Sequence, residues 1–312
     1  MPWFYSALGL MILLLAGDAL VRGAVNTSLR LGVPALIVSL TIVAFGTSAP
    51  ELLISIKAVL DNVPGIALGN VVGSNTANIL LILGLPAIVA RLHTSEHDTR
   101  SSYIQMIVAT LIFIALAFFG VFTFWSGLIL LAGLTAMIWH ALRAARAHRR
   151  ELADLPEPEG ADPDMPWWKI AVFLVLGLIG LPMGANILVE NATIIAQTYG
   201  VSDTVIGLTL VALGTSLPEL ATTLMAAIRR QADVALGNVI GSNMFNLLAI
   251  VGIATFFGPI PVDPSFLRFD LWVMLGASLL IIPFVFLGRD ITRRWGVVLT
   301  ALYVGYILAV LA

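Results

Sequence analysis

The 312-residue sequence contains no cysteine and only four histidines, and Asp, Glu, Lys and Arg together make up 11% of it. Without cysteine there are no disulfides and no thiolate metal sites, and nothing follows about redox compartment. So few charges exclude a water-soluble globule, because hydrophobic residues reach 59% and exceed what one core of this length could hide. A net charge of -2 is too small to imply a nucleic-acid or acidic-lipid partner. The apolar start, Trp3 to Ala16, lacks a basic leading region and runs on to Asp18 and Arg22 without a small-residue cleavage pattern. It reads as a membrane span and not as a signal peptide.

What the chain has in abundance is long apolar runs. Taking about 17 to 25 apolar residues per crossing, the sequence predicts ten spans. They are residues 3–25, 33–60, 65–90, 102–119 and 124–142, then 167–197, 202–228, 234–258, 268–287 and 294–311. These runs are too long and continuous for barrel strands, so the expected fold is an all-α membrane protein. Between the two sets of five, Arg143 to Asp164 carries four arginines and then six acids among three prolines, the composition of a solvated linker. The expected organisation is a first five-helix repeat at 1–143, a cytoplasmic linker at 144–166 and a second five-helix repeat at 167–312. With the linker inside, every basic residue but Lys57 and Arg268 falls on the cytoplasmic side, which puts the amino terminus outside.

One polar device is written twice. Ala44-Phe45-Gly46-Thr47-Ser48-Ala49-Pro50-Glu51 is followed by Gly69-Asn70-Val71-Val72-Gly73-Ser74-Asn75-Thr76-Ala77-Asn78, and the same pattern returns at Ala212 to Glu219 and at Gly237 to Asn246. Every matched position differs by 168, and 17 of the 35 positions from Ala44 to Asn78 are identical in the second copy. Five spans per half is an odd number, so the copies enter the membrane from opposite sides. That is an inverted repeat, and transporters built this way place ion sites near the midplane, where helices are broken.

Within the second span, Thr47, Ser48 and Glu51 lie three or four residues apart and share a helix face, as do Ser74 and Asn78 in the third. Pro50 and Pro218 donate no backbone hydrogen bond, which predicts free carbonyls near Ala44 to Gly46 and Ala212 to Gly214. Carboxylate, carbonyl, hydroxyl and amide oxygens suit hard cations such as Na+ and Ca2+. A mid-membrane carboxylate costs at least ~2.5 to 3.5 kcal/mol, so Glu51 and Glu219 require a function. Each Gly-x-x-x-Gly pair, Gly69 with Gly73 and Gly237 with Gly241, predicts close helix contact in lipid. Asn70, Asn75, Asn238 and Asn243 are expected to brace the broken backbone.

These paired segments resemble the two alpha repeats of the sodium/calcium exchanger family, of prokaryotic type, within the wider cation/calcium antiporter superfamily. The resemblance covers nearly the whole chain. It implies ten transmembrane helices in two inverted repeats, with helices 2, 3, 7 and 8 broken at the midplane. It also implies a secondary antiporter exchanging Na+ for Ca2+, not an enzyme, without a cofactor or obligatory protein partner, in the plasma (inner) membrane of a prokaryote. The ion ligands it implies are Thr47, Ser48, Glu51, Ser74 and Asn78, then Thr215, Ser216, Glu219, Ser242 and Asn246, completed by the carbonyls of Ala44 and Ala212. At Asn246 the chain departs from several prokaryotic members and from the potassium-dependent branch, which have Asp there. The first and sixth spans, by the same resemblance, slide as a gate.

Three rival readings remain, one of them a passive channel, which is disfavoured because a doubly negative trap at the centre should bind Ca2+ too well to conduct it freely. In Ca2+/H+ exchange the glutamates would release protons, but a proton needs no hydroxyl cage. An intramembrane hydrolase would lack a nucleophile with an oriented base. His93-Thr94-Ser95-Glu96-His97 matches a zinc-enzyme pattern but sits in a short loop. Asp18 and Arg22 are expected to pair, and Glu190 lies within the sixth span. Trp3, Trp125, Trp167, Trp168, Trp272 and Trp295 fall near span ends, as an interfacial belt requires. The linker carries no EF-hand pattern.

Overall fold

The computed structural model describes residues 1–96, 98–148, 162, 164–200 and 212–311. Most of these are helical. In chain order the helices are α1 (Pro2–Leu31), α2 (Ala35–Thr47), α3 (Ala49–Leu60), α4 (Pro64–Val89), α5 (Arg100–Ala117) and α6 (Phe124–His148), followed by α7 (Trp167–Thr198), α8 (Ala212–Gly214), α9 (Leu217–Ile228), α10 (Ala232–Ala254), α11 (Phe266–Phe286) and α12 (Arg293–Leu311). Eight are long and apolar enough to cross a membrane, and α2 with α3 forms a ninth, bent crossing. Of the predicted span 202–228, residues 202–211 lie outside the described residues.

Several helices outrun their predicted spans. At 30 and 32 residues, α1 and α7 are each about 45 Å long, more than the ~30 Å hydrocarbon layer, so both must tilt or project beyond it. α6 continues to His148, past the predicted end at 142 and into the arginines assigned to the linker.

The centre of the fold is α10, whose most apolar stretch is entirely buried, with α4 next to it. The main apolar cluster is built largely on α4 and α10 and also takes in Val21 and Val25 of α1, Leu40 of α2, Val59 of α3, Leu130 of α6 and Ala226 of α9, with side chains of α5, α11 and α12. A second, separate cluster joins Leu13, Ala16 and Leu20 of α1 to Leu181 and Ala185 of α7, with Val38 and Val43 of α2 and Ala221 of α9. Glycines let α1 and α7 touch backbone to backbone: a methyl on Gly184 would stand 2.8 Å from the Leu13 nitrogen, and one on Gly177 2.9 Å from the Leu20 Cα. In lipid, where apolar burial gives little drive, such close van der Waals contact is what holds helices together.

The 168-residue periodicity persists in three dimensions. α3 and α9 both end in a turn with positive φ at a non-glycine residue, 61° at Asn62 and 55° at Arg230. The Val63 N–H donates to the Ala58 carbonyl at 2.9 Å, and the Gln231 N–H to the Ala226 carbonyl at 2.8 Å. Leu92 pairs with Ile291 as an isolated β-bridge, and Val121–Phe122 (β1) pairs antiparallel with Ile260–Pro261 (β2). Leu92 and Ile260 are again 168 apart. Asp18 pairs with Arg22 as expected, at 3.1 Å, and also with Arg229 at the end of α9.

Candidate ion-binding site

The bend between α2 and α3 is 43° and falls on Ser48, whose backbone leaves the helical region at φ -86°, ψ 4°. Ser216 takes the same conformation, φ -91°, ψ 3°, before α9. Pro50 and Pro218 stand at the second position of the helices that follow, where a missing N–H removes no helical bond. Glu51 and Glu219 therefore lie in the first turn of a half-helix, the end at which the backbone dipole favours negative charge.

Ala44, Thr47, Ser48, Glu51, Ser74 and Asn78 are all buried, as are Ser216, Glu219, Ser242 and Asn246. Thr215 is half-buried, and Ala212 begins α8. The two copies meet: the Ser48 hydroxyl donates to Glu219 Oε1 at 3.1 Å, and the Thr47 hydroxyl lies 3.4 Å from Asn238 Oδ1. Two of the four asparagines brace the half-helices. Asn70 Nδ2 donates to the Glu51 carbonyl at 3.2 Å and to Ser55 Oγ at 3.1 Å. Asn238 Nδ2 does the same to the Glu219 carbonyl at 3.3 Å and Thr223 Oγ1 at 3.1 Å.

Two expectations are corrected. The Ala44 carbonyl is not freed by Pro50, because it accepts the Ser48 N–H at 3.0 Å and the Thr47 hydroxyl at 3.3 Å. The N–H that Pro50 lacks would have served the residue four before it, Gly46. In the second copy the Ser216 N–H turns to Leu213 at 3.0 Å, a tighter turn that leaves Ala212 out of that bond. Helices α4 and α10, expected to be broken, run through. Each carries a π-helical turn, at Asn78–Ile82 and Phe245–Ile250, which absorbs an extra residue without breaking the helix and presents Asn78 and Asn246 from a widened turn.

Of the two glycine pairs expected to make close helix contact, the first does not, since a methyl on Gly73 would meet nothing within 4 Å and one on Gly69 only Phe266 Cζ at 3.8 Å, whereas the second closes the site. A methyl on Gly241 would stand 2.5 Å from the Leu40 carbonyl and 2.6 Å from Ala44 Cβ, and one on Gly237 2.7 Å from the Leu36 carbonyl. α10 thus lies directly against α2, and Ser39 Oγ donates to the Val234 carbonyl at 2.6 Å across that contact. Composition gave no signal for Ser39. Ser55 and Thr223 were findable as hydroxyls at matched repeat positions.

Buried oxygens of the site are left over. Glu51 Oε2, Glu219 Oε2, Asn78 Oδ1, Asn246 Oδ1 and Ser242 Oγ have no hydrogen-bond partner among the described residues. Among those residues there is also no cluster of three His, Cys, Asp or Glu side chains. The donor set is oxygen only, with two carboxylates, which suits a hard cation. Glu190 is exposed on α7 and contributes nothing to this set. Thr94 and Ser95 of the zinc-like motif are tied to Arg289 and Asp290, and His97 lies outside the described residues.

Comparison with known proteins gives one answer. A family model described as sodium/calcium exchanger protein matches residues 1–142 and 169–312. The chain is 36% identical to CaxA of Alkalimonas amylolytica over 312 residues, covering 97% of this chain and 96% of the relative. It is 33% identical to the sodium/calcium exchanger MaX1 of Methanosarcina acetivorans over 335 residues, covering 96% and 95%. The solved structure of the sodium-calcium exchanger NCX_Mj soaked with Na+ and Sr2+ superposes with a TM-score of 0.83 at 30% identity, covering 100% of this chain and 98% of that one.

Proposed function

Because the chain belongs to the sodium/calcium exchanger family, whose members are transporters and not enzymes, we propose that it is an antiporter in which Na+ and Ca2+ compete for one cage built on Glu51 and Glu219. The observation that carries this reading is the set of five unpartnered oxygens. Leaving a buried polar atom unsatisfied costs about 1 to 3 kcal/mol. Five together approach the roughly 5 to 15 kcal/mol by which a whole domain is stable. A bound cation offsets that cost, and hydroxyl, amide and carboxylate oxygens are what Na+ and Ca2+ coordinate.

The mechanism follows from charge. When both glutamates are ionised, one Ca2+ neutralises them, or Na+ ions do so by sharing the same oxygens, so loading one species displaces the other. An unloaded site would carry two bare carboxylates through a dry, closed state, which is prohibitive, and the empty crossing is suppressed. Exchange is coupled for that reason. Moving more positive charge one way than the other makes transport voltage-sensitive, at about 2.3 kcal/mol per charge per 100 mV.

Around this cage we place ten spans in two inverted repeats, the amino terminus outside and the linker in the cytoplasm of a prokaryotic cell, the protein lying in the inner membrane. Nine described crossings and the 168-residue periodicity of turns, braces and bridges support that arrangement. The test is uptake of labelled Ca2+ into proteoliposomes preloaded with Na+, K+ or H+. An outward Na+ gradient should drive uptake. Uptake driven equally by protons alone would replace Na+ with H+ as the counter-ion, and uptake without any gradient would indicate a channel.

A further inference from the structure

Asn75 and Asn243 occupy equivalent positions of the two copies, and they touch. Asn75 Nδ2 donates to the Asn243 carbonyl at 3.2 Å. Asn243 in turn bonds through both ends of its carboxamide. Its Oδ1 accepts Nδ2 of Asn78 at 2.9 Å, and its Nδ2 faces Met106 Sδ of α5 at 3.6 Å. All of these side chains are buried.

The chemistry of the partners fixes which end points where. A thioether has no proton to give, so Met106 can only accept, and the nitrogen of Asn243 must face it. The oxygen of Asn243 then faces Asn78 and can only accept, so Asn78 presents its nitrogen there. What remains is the oxygen of Asn78, which is buried and has no partner among the described residues. Turning Asn243 over alone would set its NH2 against the NH2 of Asn78 and its oxygen against sulfur, losing both bonds. Turning the two amides together would still set the Asn243 oxygen against sulfur, so Met106 selects the orientation.

We propose that Asn243 is a positioning residue which, held by Met106, orients the Asn78 carboxamide with its oxygen toward the cation and so sets affinity at the cage. The inference rests on the cation-site reading above and adds residues that reading does not include. If Asn78 turned over, the cation would meet an NH2 group carrying partial positive charge in place of a ligand.

The experiment is a double-mutant cycle on the full chain in detergent, measuring Ca2+ and Na+ binding by calorimetry for wild type, Asn243→Leu, Asn78→Ala and the double variant. Asn243→Leu should weaken binding of both ions about tenfold, the size of one lost oriented bond. Asn243→Asp, which keeps an acceptor toward Asn78, should recover Na+ affinity. In the double variant, Asn243→Leu should cost nothing beyond Asn78→Ala, because it acts only through that side chain. Additive losses, or an Asn243→Leu variant that melts normally and binds like wild type, would overturn the proposal. If the wild type binds Ca2+ while no Na+ gradient drives uptake, the exchange reading fails and the cycle still decides this one.

Discussion

Ser48 Oγ and Glu219 Oε1 are joined at 3.1 Å, so a hydroxyl at the helix break of the first sequence copy is bound to the carboxylate of the second. Neither copy can build the site alone. A hydrogen bond to a charged group contributes roughly 1.5 to 3 kcal/mol. Ser48→Ala should therefore weaken Ca2+ binding by about tenfold or more. Glu51→Gln and Glu219→Gln, each removing one of the two charges, should abolish Na+-driven Ca2+ uptake in proteoliposomes while leaving the protein folded by size exclusion.

Gly241 should be intolerant of any side chain. A Cβ there meets the Leu40 carbonyl and Ala44 Cβ, neither of which can swing aside. Gly241→Val should destabilise by about 1 to 3 kcal/mol or more through overpacking and should push α2 from the site. Gly276, around which nothing lies within 4 Å, is the control. Gly276→Ala should be neutral or stabilising, by up to ~1 kcal/mol from helix propensity. Melting in detergent compares the two.

Asp18 ties α1 to the end of α9 through Arg229 and also holds Arg22. α1 also reaches the main core through Val21 and Val25, and α1 and α7 share the second apolar cluster with α2 and α9. If these two helices move during the cycle, the ion pair must open. Asp18→Asn removes about 1 kcal/mol of attachment and should raise turnover several-fold with cation affinity unchanged. Arg229→Gln should do the same, and the double variant no more than either, since the same tie between α1 and the end of α9 is lost in all three and the Asp18–Arg22 pair lies within α1. Initial uptake rates and equilibrium binding, measured side by side, check this.

Asp290, in the connection between α11 and α12, reports on pH. Burial alone would raise its carboxyl, but the Ser95 hydroxyl and N–H at 2.7 and 3.1 Å and the Arg91 guanidinium at 2.8 Å hold it below the ordinary aspartate value. A carboxyl depressed in the folded state contributes stability that is present above the unfolded pKa and lost as pH falls through the folded one. Asp290→Asn should therefore melt lower than wild type at pH 7. The difference should shrink as pH drops below about 3.9, the ordinary aspartate value. A gap that stayed constant down to pH 3 would mean the carboxylate charge plays no part.

Much of this protein is decided one-dimensionally. Apolar runs between charged connections fix where helices can lie, because lipid tolerates no unsatisfied backbone. The exact 168-residue offset marks Thr47, Ser48 and Glu51 and their second copies as a unit, and Pro50 and Pro218 mark where each helix restarts. Local sequence determines these things since they depend on residues within a turn or two of each other.

Which atoms meet across the copies was settled only by packing. That the Ser48 hydroxyl reaches Glu219, that Gly241 brings α10 against the Leu40 carbonyl, and that Asn243 takes its orientation from Met106 on another helix all depend on contacts between residues more than a hundred positions apart. The Ala44 carbonyl shows the limit most directly: the proline marks a break, but only the backbone path through Ser48 decides that this oxygen keeps a donor. Hydrogen bonds are directional over about 3 Å. A sequence pattern can place an oxygen on a helix face, and only the tertiary structure can aim it.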